Sequence, residues 1–143
     1  QVINEPLQVN NTILNITCVS MGNPHCITFV DDIDSIDLNV TGKAIENHEL
    51  FPERINAHFV QQISANKVKM RTWERGSGET LACGTGAVAT GVACVLNNLT
   101  ERIINTQLPG GELTVEWTDD TKTFMTGPAE IVFTGQWDED RSP

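Results

Sequence analysis

Residues 85–99 read TGAVATGVACVLNNL, and the fold turns on this run. Ala87, Val88, Ala89, Val92, Ala93, Val95 and Leu96 cover nearly every side of a helix, and a helix that is apolar all round belongs in a core. Gly86 and Gly91 each cost about 1 kcal/mol relative to Ala inside a helix, a penalty that predicts close approach of another backbone. The flanking chain alternates like strands instead. Residues 13–20 place Leu14, Ile16 and Cys18 on one face before the Gly22-Asn23-Pro24 turn, and residues 25–30, 55–63 and 67–73 continue the pattern. In the last of these, Val68, Met70 and Thr72 alternate with Lys67, Lys69, Arg71 and Trp73. Leu113, Val115 and Trp117 lead through Asp119-Asp120-Thr121 into residues 122–126 as a hairpin, with residues 131–133 as a final strand. Residues 40–48 hold helix formers behind a Thr41 cap and stop at Phe51-Pro52. The predicted class is α+β: a curled, mostly antiparallel β-sheet, closed as a barrel around one buried central helix, plus a short second helix. At 143 residues the chain makes a single domain, 1–143, in which 138–143 form a polar tail.

Composition narrows the partners. Nine Lys and Arg against 19 Asp and Glu give a net charge of −10, which opposes a phosphate-tracking surface, so no nucleic acid is expected. The longest mainly apolar stretch, residues 82–96, is short of the roughly 20 residues of a membrane span. Neither a Met nor a basic leader followed by an apolar run opens the sequence at Gln1, so no secretory signal is read. The four cysteines, Cys18, Cys26, Cys83 and Cys94, include no CxxC pair, and reduced thiols in a cytoplasmic protein are the expectation. Glycosylation-type triplets at Asn10, Asn15, Asn39 and Asn98 suit a chance origin in an Asn- and Thr-rich chain. The acidic run Asp31, Asp32, Asp34 and Asp37 departs from a calcium loop at Ile36 and Asp37, and reads as a solvated turn.

Residues 73–89, WERGSGETLACGTGAVA, hold the densest chemistry. Cys83 directly precedes the Gly84-Thr85-Gly86 turn that opens the buried helix, where unpaired N–H groups lower a thiol's pKa. The N–H groups of Gly84 and Thr85 could also hold a carboxylate. Gly76 and Gly78 let the chain turn back, bringing Glu74 near as a partner for an ammonium group and Arg75 as a fork for a carboxylate. Spacing alone leaves Cys83 open between this role and that of a small buried hydrophobe. Cys18, Cys26 and Cys94 read as packing residues, and Trp73, Trp117 and Trp137 as core or rim aromatics. His48 and His58 show no ligand spacing with each other or with the cysteines, so no metal is expected. Residues 84–89 fit the G-x-G-x-x-A form of a dinucleotide fingerprint, but no strand-helix-strand repeat follows and Glu101 is a poor ribose partner.

Taken together, Gly22-Asn23-Pro24-His25, then FPERIN at 51–56, ERGSGETLACGTGA at 74–87 and Gly127-Pro128-Ala129 resemble the C-terminal half of the diaminopimelate epimerase family. The proline racemases also place a Cys before Gly-Thr-Gly, but the acidic pair flanking the turn and the GNPH motif are similar to the diaminopimelate branch. The resemblance implies racemisation without a cofactor at the α-carbon of LL-diaminopimelate, giving the meso form used for lysine and peptidoglycan. Two cysteines on opposite faces of the substrate act as base and acid. Residue by residue it implies Cys83 as one of these thiols, with His25 and Glu74 assisting catalysis. Substrate-binding positions fall on Asn23, Asn56, Glu74, Arg75, Gly84 and Thr85. Asn23 and Asn56 also have a plain reading as turn and strand-edge hydrogen-bonding residues. Ala57 departs from the family's usual Val. The family's second thiol sits in a Cys-Gly-Asn-Gly motif of an N-terminal lobe, and no such motif occurs here. The expectation is therefore an isomerase lobe, inactive alone, whose partners are an amino-acid substrate, that missing lobe and a second copy in a homodimer. A proline- or hydroxyproline-type isomerase, or a non-catalytic binding lobe, are the competing readings.

Overall fold

The computed structural model describes residues 1–137. The tail expected at 138–143 lies outside the described residues. Among them, nine strands form one sheet, in the order β1 (Glu5–Val9), β2 (Thr12–Ser20), β3 (Pro24–Phe29), β4 (Asn56–Ser64), β5 (Lys67–Glu74), β7 (Ile103–Leu108), β8 (Gly111–Trp117) and β9 (Thr123–Thr126). The short β6 (Gly78–Thr80) also pairs with β5, folding back along residues 72–74. Most pairings are antiparallel, as expected; β3 with β4 and β5 with β7 run parallel. Parallel neighbours need a crossover, and each helix supplies one. α1 (Leu38–Glu46) links β3 to β4, and α2 (Gly84–Leu96) carries the chain from β6 to β7.

Strand alternation sorts the core into two clusters. Ile27, Val60, Val68 and Met70 face Ala87, Ala89, Ala93 and Cys94 of α2, while Cys26, Ala57 and Phe59 face the other way, against Leu38 and Ile45 of α1. α2 packs against β2, β3, β4, β7, β8 and β9, so the sheet does curl around it. The expected barrel does not form, because β1 and β9 end the sheet without pairing to each other. An eight-stranded barrel has an interior that side chains alone fill. A whole helix about 10 Å across holds the sheet open.

Three further expectations change. Residues 131–133 form no strand; Ile131, Val132 and Phe133 are 87%, 91% and 84% exposed, and Trp137 is exposed with them, because no neighbouring strand meets this segment among the described residues. α1 starts at Leu38 rather than Val40, since the Asp37 carboxylate, not Thr41, accepts from the N–H groups of Asn39 and Val40. The acidic run is more than a solvated turn: Asp32 caps the 3₁₀ turn Ile33–Ser35, and Asp34 pairs with Lys69. Strands β1, β6 and β7 had no clear periodic signal, being short or half-exposed. Among the described residues no helix is long and apolar enough to cross a membrane.

The helix glycines accommodate side chains rather than a backbone. A Cβ on Gly91 would lie 2.6 Å from Val115 Cγ1, and one on Gly86 would lie 2.9 Å from His58 Nε2. Gly-to-Ala changes inside helices ordinarily stabilise by about 1 kcal/mol. Gly91→Ala is expected to do the reverse, costing a net 1–2 kcal/mol or so by overpacking against β8. A urea midpoint at or above the parent's would show that Val115 can move aside.

Candidate active site

The start of α2 builds the site. Cys83 is the N-cap residue, with extended backbone at φ −135° and ψ 105°, and its carbonyl accepts from Ala87 N–H. The N–H groups of Gly84, Thr85 and Gly86 therefore open the helix without intrahelical partners. A cleft of about 600 Å³ lies over this end, lined by Cys83 and Thr85 with Glu74 on one side and Met21, Thr123 and Met125 on the others. Gly84 keeps the cleft open toward β9, since a Cβ there would sit 3.3 Å from Met125 Cε.

The helix start by itself predicts an activated thiol, and burial overturns that. Cys83 is 7% exposed, and desolvation pushes its pKa above that of an ordinary thiol. The Gly86 N–H and the Thr85 hydroxyl pull the other way, while the Glu74 carboxylate adds to the rise. The unpaired helix amides are outweighed, so Cys83 rests as a thiol at neutral pH.

Of the other expected residues, Glu74, Gly84 and Thr85 line the cleft with Cys83, while Asn23, His25, Asn56 and Arg75 stand behind it in hydrogen-bond networks at the strand ends. Glu74 closes β5, its carboxylate accepting from Thr80 Oγ1 at 2.7 Å. Arg75 donates from its backbone to Asn56 Oδ1 at 2.9 Å and from its guanidinium to the Glu53 carbonyl at 2.9 Å. Asn56 Nδ2 in turn donates to the Pro24 carbonyl, so this carboxamide ties the ends of β3, β4 and β5 together. The turn after Glu74 is held from α1: the nearly buried Glu46 carboxylate accepts from Gly76 N–H at 2.8 Å, from Trp73 Nε1 at 2.7 Å and from Arg54 at 3.2 Å. Burial raises its pKa, but these donors prevail and hold it below the usual carboxylate value.

His25 is fully buried on β3, and its Nε2 lies 3.1 Å from Asn23 Oδ1. Asn23 Nδ2 donates to Thr85 Oγ1 at 3.3 Å, reaching the first turn of α2. His25 Nδ1 meets His58 Nε2 at 2.8 Å, and His58 Nδ1 lies 3.0 Å from Thr72 Oγ1. Burial lowers the His25 pKa to about 4, with Glu74 opposing and Arg75 adding. Burial and the neighbouring His25 lower that of His58 to about 3. Both rings are neutral at pH 7.

The sequence does not mark His58 or Thr72 as a site residue. Their spacing along the chain carries no signal, and the one hint is that strand alternation puts His58 on the face of Val60. The fold brings ligand atoms of His25, His58 and Cys83 within 4.8 Å of one another, a trio that sequence spacing hid. All four ring nitrogens of the two histidines already have hydrogen-bond partners, so ligation of an ion would have to break them. Elsewhere, His48 bonds the Gln8 carbonyl, Cys94 is buried in α2, and Cys18 and Cys26 stand opposite each other across β2 and β3.

The family model described as diaminopimelate epimerase matches residues 17–132. Diaminopimelate epimerase of Trichodesmium erythraeum is 56% identical over 136 residues, which is 94% of this chain and 49% of that protein. Diaminopimelate epimerase 1 of a Nostoc strain is 53% identical over 137 residues, 95% of this chain and 49% of its own. Diaminopimelate epimerase of Agathobacter rectalis is 50% identical over 139 residues, 96% and 49%. The chain thus spans about half the length of the curated relatives it matches. Among solved structures, a phenazine biosynthesis protein of the PhzF family from Bacillus anthracis shares the fold at TM-score 0.54 and 22% identity, over 78% of this chain and 38% of that one. The match to the family's model and the identity to its members converge: the chain belongs to the diaminopimelate epimerase family.

Proposed function

We propose that this chain is the C-terminal lobe of a cofactor-independent epimerase that inverts one α-carbon of diaminopimelate between the LL and meso forms, and that Cys83 is one of two acid/base thiols. A single observation carries this reading: among the described residues one thiol opens on the cleft. Cys94 is buried in α2, and Cys26, with Cys18 opposite it on β2, lies on the face turned toward α1. Inversion by proton exchange needs a base and an acid on opposite faces of the carbon. One thiolate takes the α-proton as the C–H bond breaks, and the opposite thiol gives a proton to the resulting carbanion, with no net oxidation. Resting protonated, Cys83 serves as the donor first and as the base in the reverse direction.

The surroundings suit an amino-acid centre. The N–H groups of Gly84 and Thr85 suit its carboxylate and the charge that spreads onto it in the carbanion. Glu74 suits the ammonium group, Asn23 and the buried His25 reach the cleft through Thr85, and Asn56 and Arg75 brace the strand ends behind Glu74. The opposite face belongs to a second lobe. Phe124 and Met125 on the β9 edge are 53% and 49% exposed, and Ile131, Val132 and Phe133 more so, an apolar surface of the kind that another domain covers.

The test compares the purified chain with the same chain joined to the N-terminal half of one of its relatives, following deuterium uptake at the α-carbon in heavy water. Turnover of LL-diaminopimelate is expected only in the joined protein. Turnover by the chain alone, abolished by Cys83→Ser, would overturn the half-site reading.

A further inference from the structure

We propose that Thr72 and His58 act as positioning residues: they hold His25 in its Nε2–H tautomer and thereby set the direction of a hydrogen-bond chain that ends with a donor aimed at the Cys83 sulfur. The inference rests on the reading of Cys83 as an acid/base thiol.

The direction follows link by link. Asn23 Nδ2 donates to Thr85 Oγ1, so the amide's other atom, Oδ1, faces His25 Nε2 as an acceptor and that nitrogen must carry the hydrogen. A neutral imidazole has one N–H, so His25 Nδ1 is an acceptor. His58 Nε2, 2.8 Å away, must then be the donor, and His58 Nδ1 the acceptor. The Thr72 hydroxyl 3.0 Å from that nitrogen completes the chain as its source. At the other end Thr85 Oγ1 already accepts from Asn23, leaving its own hydrogen for Cys83 Sγ at 3.8 Å. Thr72, His58, His25, Asn23 and Thr85 therefore all donate in one direction, toward the sulfur. Bonds aligned in this way polarise one another, and the last of them favours a thiolate. The device suits a thiol that rests protonated and must carry charge once it has delivered its proton.

The fold holds the chain in place. His25, His58 and Thr72 lie on the α2-facing side of β3, β4 and β5, with His58 directly opposite Thr72 and Ile27 opposite His58. The His58 ring fills the space where a Cβ on Gly86 would stand, so the residue that orients His25 also seats the first turn of the helix bearing Cys83. A full shell of partners on a wholly buried histidine is costly to assemble without a role for its polarity, since an apolar side chain would satisfy packing alone.

The experiment uses the full 143-residue chain labelled with ¹⁵N, together with Thr72→Val and His58→Gln. In the parent, the ring nitrogens are expected to show both histidines as neutral Nε2–H tautomers at pH 7. Thr72→Val keeps shape and strand preference but removes the terminal donor. It is expected to leave His25 in mixed tautomers and to slow iodoacetamide labelling of Cys83 by about two- to fivefold, the lower half of the worth of one hydrogen bond. His58→Gln can donate from its amide nitrogen at the place of Nε2 and accept from Thr72, so it is expected to keep the His25 tautomer and the labelling rate. An Nδ1–H tautomer of His25 in the parent, or a Thr72→Val chain with both readouts unchanged, would reduce His58 to packing. Because the tautomer is read without turnover, its outcome is separable from that of the Cys83 assay.

Discussion

Cys83→Ala in the joined, two-lobed protein is expected to lower turnover by about 10²–10⁴-fold, the usual worth of a positioned acid or base. Among the described residues Cys83 carries the one thiol that opens on the cleft, and it stands at the start of α2. Alanine removes the proton and keeps the N-cap backbone, because the Cys83 carbonyl, which accepts from Ala87 N–H, is what opens the helical ladder. Cys83→Ser is expected to fare little better, since a hydroxyl holds its proton far more tightly than a thiol. The loss should fall on turnover more than on apparent substrate affinity, because the Gly84 and Thr85 amides proposed to hold the carboxylate belong to the backbone. Deuterium uptake within tenfold of the parent would move the acid–base role to another residue.

The second large effect is acid instability. His25 and His58 titrate at about 4 and about 3 in the folded chain against about 6.5 when unfolded. Their folded values are lowered, so the unfolded state binds more protons below pH 6.5, and stability must fall as pH drops through that window. The fall begins near 6.5, is complete for His25 by about pH 4 and continues for His58 toward 3. With both rings contributing, the slope approaches about 2.7 kcal/mol per pH unit, two protons at 1.36 kcal/mol each. Glu46 acts in the same direction: its lowered carboxylate pKa contributes stability above the ordinary carboxylate value that is lost on acidification. At the alkaline end, burial pushes Cys94 up to about 12, so its contribution is intact below about pH 9 and is lost as pH rises beyond it. Urea midpoints between pH 7 and pH 4 check the acid limb, and His58→Gln should remove about one proton from the slope. A flat profile from pH 7 to pH 5 would mean that the histidines are solvated or already charged.

Both effects trace to features the sequence displayed unequally. The buried α2 was readable because apolar residues on every side of a helix have few other places to go, and Cys83 at its start follows from the Gly-Thr-Gly step. The alternation in β5 and the β8–β9 hairpin were readable for the same reason: side chains two apart share a face, and that period is written along the chain. The motif resemblance added Asn23, His25 and Asn56 to Glu74 and Arg75, which the Gly76 and Gly78 turn already pointed to.

What the chain order could not show were relations between distant segments. The parallel register of β3 and β4 brings His25 against His58, 33 residues apart, and neither segment's periodicity encodes which strand will lie beside it. Strands β1, β6 and β7 escaped because short, half-exposed strands owe their existence to neighbours. An open sheet replaced the expected barrel because closure depends on the girth of what is enclosed. The protonation of Cys83 was likewise beyond local reading, since the helix start favours a thiolate whereas burial and Glu74 oppose it more strongly. By itself the sequence determined the central helix, the strand faces and the position of the thiol, all governed by nearest neighbours along the chain. Only the tertiary structure decided the sheet's closure, the His25–His58–Thr72 alignment and the charge on the thiol, because each depends on a register or a desolvation that many distant residues set together.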